Sequence, residues 1–179
     1  MKAAAVILLL AFACAAPPAA TAQRRAHAAK VQARGRNILL TERGARTLIR
    51  VAEYVDAARV TDASVVFESR DGVYVYLLLD VCGPSKERPD DRQCGAGVEC
   101  NLLWLKLDSR RRVIDADSAR YESCWAPITT EEGYRVTGGT LRLVVQDLRE
   151  QLEHTITYDA DRPARGLQRQ QSPLKSGDR

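Results

Sequence analysis

From Val60 onward, short runs of β-branched, aromatic and aliphatic residues are separated by turn residues, with no helical periodicity between them. Residues 64–68 and 73–81 flank Arg70-Asp71-Gly72, where Asp-Gly supplies the positive-φ position of a tight turn. Residues 101–108 and 112–116 flank Ser109-Arg110-Arg111, and 133–137 and 140–146 flank Gly138-Gly139, the strongest turn signal in the chain. A last strand follows at 152–158. Seven runs joined by short links predict antiparallel neighbours, because a parallel crossover needs a dozen or more residues. Leu141, Leu143 and Val145 alternate with Arg142, Val144 and Gln146, which predicts one buried and one more exposed face. The unbroken Leu77-Leu78-Leu79 predicts burial on both faces. The expected fold class is mainly β: a single antiparallel β-meander domain, sandwich or barrel, of about seven strands.

Residues 41–59 read less clearly. Ala45, Leu48, Ile49, Ala52 and Val55 recur at helical spacing behind a capping Thr41, whereas Gly44 weakens a helix and Arg50-Val51 suits the start of a strand. The spacing predicts one N-terminal helix across an end of the sheet.

Residues 1–22 have the form of an export signal: Lys2, an apolar run from Ala3 to Ala13, and small residues at Ala20-Thr21-Ala22 before a cleavage point at Gln23. The run is 11 residues, short of the ~20 that cross a bilayer as a helix. Cys14 sits where a lipoprotein carries its acylated cysteine, but Ala11 and Phe12 match that pattern poorly, so soluble export is preferred and a lipid anchor is the alternative. The expected destination is the periplasm or the exterior.

Export sets the chemistry of the four remaining cysteines, Cys82, Cys94, Cys100 and Cys124, which are expected to form two disulfides. Pairing of neighbours, Cys82 with Cys94 and Cys100 with Cys124, is preferred because each closes a local segment, although Cys82 with Cys100 would staple the base of the same loop equally well. A zinc site is disfavoured by the lack of a Cys-x-x-Cys pair and by the distance of His27 and His154 along the chain.

Charge divides the mature chain in three. Residues 23–50 hold eight Lys or Arg against Glu42, residues 51–159 hold 13 basic against 20 acidic residues, and residues 160–179 hold five against two. An acidic body at 41–159 is thus expected between a basic flexible arm at 23–40 and a polar, proline-broken, disordered tail at 160–179. The arm suits weak electrostatic contact with a membrane surface, or service as a solvated linker. No aromatics interleave its arginines as base-stacking platforms, so no specific nucleic-acid binding is expected.

No motif carries catalysis. His27 lies in the arm and His154 in a strand without a nucleophile motif, which argues against a serine or cysteine hydrolase. Glu68, Glu99, Glu122 and Asp80 leave a small carboxylate-pair hydrolase as the alternative. Asp90 with Asp91, and Asp115 with Asp117, lack the full calcium-loop pattern, so neither metal nor cofactor is expected. The candidate binding surface is the loop bracketed by cysteines, with Lys86, Glu87, Arg88, Asp90, Asp91 and Arg92, joined by Trp125; Trp104 belongs to an apolar strand and is read as core. Gly95-Ala96-Gly97 is read as a tight stapled turn. The expected function is a non-catalytic exported binding or inhibitor module for a macromolecule or envelope component, with a structural envelope protein or lipoprotein as a further alternative.

Overall fold

The computed structural model describes residues 29–88, 94 and 97–174. The leader, Cys14, His27, Asp90, Asp91, Arg92, Gly95 and Ala96 lie outside the described residues.

Among the described residues, twelve strands form three antiparallel sheets. An N-terminal sheet is the meander β1 (Lys30–Arg34), β2 (Asn37–Glu42) and β3 (Ala45–Arg50). A central sheet follows in strict sequence order: β4 (Asp62–Asp71), β5 (Tyr74–Pro84), β6 (Val98–Leu107) and β7 (Val113–Ser123). The C-terminal sheet is built on β10 (Thr140–Asp147) and β11 (Leu152–Asp159), with β8 (Ile128–Thr129) and β9 (Tyr134–Thr137) on the free side of β10 and β12 (Gln168–Pro173) on the free side of β11. All seven strands and all three hairpins read from the sequence are present.

The central sheet is the middle of three layers, and the two-residue period of its strands makes it so. Val75, Leu77, Leu79 and Val81 of β5, with Leu103, Leu105 and Leu107 of β6, point to the N-terminal sheet, where they join Ile38, Leu40 and Ile49. Tyr76 and Leu78 of β5, with Leu102 and Trp104 of β6, point the other way, onto Leu141, Leu143, Val145, Ile156 and Tyr158. A bulge between Val65 and Phe67 resets the alternation in β4, so that Val65 packs on the first cluster while Val66 and Phe67 pack on the second. Each fully buried leucine in this double core stabilises the fold by about 1.5–3 kcal/mol.

Four expectations are corrected. First, no α-helix occurs among the described residues; the segment read as a helix contains β3 and a run of turns. Ile49, Ala52 and Val55 of the helical set are buried, but Leu48 is 61% exposed, because strand alternation and not helical spacing decides its face. Second, the basic arm is strand from Lys30, since Val31 and Ala33 alternate inward and the Ala29 N–H donates to Glu68 Oε2 at 2.7 Å. Third, the tail is ordered through Leu174. Trp104 Nε1 donates to the Pro163 carbonyl at 3.1 Å, Leu167 is buried, and Arg169 grips Asp117 with two hydrogen bonds of 2.7 and 2.8 Å. Fourth, the disulfides are Cys82–Cys100 and Cys94–Cys124, not the neighbouring pairs. Cys82 and Cys100 stand opposite each other in the β5–β6 register, which leaves Cys94 in the connecting loop to reach Cys124 beyond β7.

Candidate functional site

Lys86, Glu87 and Arg88 leave the end of β5 at the corner that Cys94–Cys124 ties to the end of β7. The Trp125 indole N–H donates to the Lys86 carbonyl at 3.1 Å, and the Arg88 guanidinium lies 4.2 Å from the centre of the Trp125 ring. Of the loop residues named from the sequence, Lys86 and Arg88 are thus brought together with Trp125. Glu87 is exposed and joins none of these contacts. Gly97 makes the corner possible: a Cβ there would lie 2.4 Å from the Cys124 Cβ and 2.8 Å from Ser85 Oγ.

From this corner a groove of about 590 Å³ passes over β7, the free edge of the central sheet, and under the inner face of the C-terminal sheet. Its walls come from residues 52–56, Lys86, Asn101, Ser118 to Arg120, and Asp147, His154 and Arg169. The floor is unusually polar. Glu99 is fully buried, and its Oε1 accepts from the Ser85 hydroxyl at 2.7 Å and the Cys124 N–H at 3.2 Å. Glu99 Oε2 faces Arg120 Nε at 3.9 Å, and neither atom has a hydrogen-bond partner. The Asn101 amide nitrogen, in a residue 3% exposed, also lacks an acceptor.

Asp56 closes the wall. It accepts from Lys86 Nζ at 2.6 Å and from Arg120 at 3.3 Å. The hydrogen bond from Lys86, with the charges of Lys86, Arg120 and Arg88, holds its carboxyl below the usual carboxylate value and outweighs the opposing effect of burial. Backbone pairing sets this geometry, since Ala57 bridges Ser85 and the Ala58 N–H donates to the Pro84 carbonyl.

At the other rim, donor atoms of Asp147, Glu150 and His154 lie within 4.8 Å of one another, a mixed carboxylate and imidazole set of the kind that ligates zinc-class ions. The β10–β11 register assembles it: Val145 faces His154, so Asp147 and His154 share the inner face across the turn. The sequence reading of His154, a strand residue without a motif around it, did not bring these three residues together. The only signal lay in the positions of Asp147 and His154 on either side of the hairpin turn. Nothing local in the sequence marks Asp56, Asn101 or Arg120, which meet only through tertiary packing.

The carboxylates considered for hydrolysis are dispersed. Asp80 lies between the layers and accepts from Tyr121 at 2.7 Å and Tyr134 at 3.2 Å. Burial, with the Asp80 charge and hydrogen bond, pushes the Tyr121 hydroxyl well up and that of Tyr134 up to about 12. Glu68 holds the Ala29 N–H and Arg70, Glu122 is exposed, and Glu99 lies beneath the groove.

Comparison of the chain with protein-family models, curated proteins and solved structures found no match.

Proposed function

We propose that this chain is an exported, disulfide-stapled β-domain that binds a partner in the groove over β7, without transforming it. The observation that carries this reading is the groove itself: open, charged on its walls, and floored by buried polar atoms whose hydrogen-bonding capacity is unused. Buried donors normally find partners, so Asn101 Nδ2 and Arg120 Nε, both in residues that line the groove, favour a ligand that offers oxygen acceptors. The Trp125–Arg88 corner supplies a rigid aromatic and cationic rim of the kind enriched at binding sites. Two disulfides and the export-type leader favour a periplasmic or extracellular location, where such a partner would be met.

Affinity capture from the periplasmic or culture-fluid fraction tests the reading when wild type is compared with R120Q and W125A. A partner retained by wild type and lost with both variants supports the groove. Equal capture by all three proteins rejects it.

A further inference from the structure

The outer face of the N-terminal sheet has no role in the groove, yet its charge is all of one sign. Its residues follow from the register. Lys30 pairs with Thr41 and Thr41 with Arg46; Gln32 pairs with Leu39 and Leu39 with Leu48; Arg34 pairs with Asn37 and Asn37 with Arg50. Val31, Ala33, Ile38, Leu40 and Ile49, the alternate positions, pack into the core, so these three rows face outward together. The outcome is a grid with a cation at each corner, Lys30, Arg34, Arg46 and Arg50, around a centre of Leu39 and the exposed Leu48. Strand spacing and rise make the grid about 10 Å by 13 Å between corner positions.

The strand acid of this sheet, Glu42, points inward and binds Arg70 and Arg111. Among the described residues none of the four corner cations has a carboxylate partner. Four cations on one face without carboxylate partners set up a positive potential that attracts an extended negative surface.

We propose that this face docks the protein reversibly on an anionic lipid surface, with Lys30, Arg34, Arg46 and Arg50 over the headgroups and Leu48 entering the interface. Flatness and the leucine centre favour lipid over nucleic acid. A leucine gains nothing among phosphates, the grid carries no aromatic residue on which a base stacks, and the face has no element projecting to enter a duplex groove. The cationic contribution is about fivefold in affinity per Lys or Arg near such a surface, so the contact is salt-sensitive. Docking leaves the groove over β7, formed at the other edge of the central sheet, free for its partner.

The test is cosedimentation of the mature chain with vesicles of phosphatidylcholine alone or with about one-third phosphatidylglycerol, from low to high salt. Retention is expected on anionic vesicles only, falling as salt rises. R46E/R50E should lower it at least tenfold, and R142E/R149E, the same charge change on β10 and the turn that follows it, should not. In L48W, anionic vesicles should shift the added tryptophan emission to the blue, measured as the difference from wild type, which also reports that a folded face inserts. A chain starting at Ala29 should still bind. Retention on neutral vesicles, insensitivity to salt, equal loss with R142E/R149E, no emission shift, loss on removing residues 23–28, or tighter binding to duplex DNA at the same salt would each overturn the proposal.

Discussion

The two faces of the central sheet are equally buried but are held by different chemistry. Toward the N-terminal sheet the contact is almost wholly aliphatic, closed at its rim by Glu42 between Arg70 and Arg111. Toward the C-terminal sheet it is aromatic. Tyr76 stacks near Trp104, Phe67 near Tyr158, and Tyr121 meets Tyr134 edge-on, while Asp80 accepts from the Tyr121 and Tyr134 hydroxyls and the Pro163 carbonyl from the Trp104 indole N–H. An aliphatic interface tolerates small slips, because dispersion and burial have no direction; hydrogen-bonded aromatics do not, because each polar end must find its partner. The C-terminal layer is accordingly the one whose position over β7 is fixed, and it forms a wall of the groove.

Adjacent residues of β6 break this comparison most sharply. W104A and L103A should each cost about 3–5 and 2–5 kcal/mol in urea unfolding, since each empties a buried site on one face. Only W104A should also loosen the turn at residues 163–166 to limited proteolysis, because the Trp104 indole N–H donates to the Pro163 carbonyl; resistance there in both variants would show that the turn is held by β11 pairing and the Arg169–Asp117 contact instead. G97A comes next, at about 1–3 kcal/mol, because its Cβ has no space beside Cys124 and Ser85. It should also slow closure of Cys94–Cys124 relative to Cys82–Cys100 on oxidative refolding, read by peptide mapping.

A smaller effect tests the polar ends themselves. Y134F removes one hydrogen bond to Asp80 and should cost about 0.5–1.5 kcal/mol, whereas Y74F, at an exposed position, should be near neutral. Smallest and most selective is pH. Tyr134 and Tyr158 are held up to about 12 in the folded chain against an ordinary value of 10.0, mainly by burial. Their contribution is complete below pH 10 and lost as pH rises from there to about 12, so alkaline titration should loosen the C-terminal layer first. The depressed Asp56 works in the opposite sense: its contribution is present above its ordinary value of 3.8 and disappears as pH falls below it. Hydrogen exchange resolved by strand would report both; earlier opening of β1–β3 at high pH would contradict the assignment.

Much of this architecture is local and was legible in the chain. Asp71-Gly72 and Gly138-Gly139 dictate their hairpins, since positive φ at Gly72, Gly138 and Gly139 is open to glycine without strain. Leu77-Leu78-Leu79 declares a strand covered on both sides, and Leu141, Leu143 and Val145 a strand covered on one. Lys86 and Arg88 lie exposed in the loop that Cys82 and Cys94 bracket, but the contact of Arg88 with Trp125 has no local signal. Composition misled at both ends. Residues 163–173 lack apolar periodicity, yet one proline, one leucine and one arginine dock on partners 50 or more positions away, at Trp104 and Asp117. Leu48 and Ile49 fit a helix as well as a strand, and only pairing with β2 decided between them.

Local patterning thus determined seven of the strands, β4 to β7 and β9 to β11, with their turns and antiparallel order, because hairpin geometry depends on neighbours in the chain. Tertiary structure alone decided the three-layer stacking, the disulfide partners, and the meeting of Asp56, Asn101, Arg120 and His154 around one groove. Those outcomes depend on which sheet faces and loop ends come together, and burial and electrostatics act across space without regard to sequence separation.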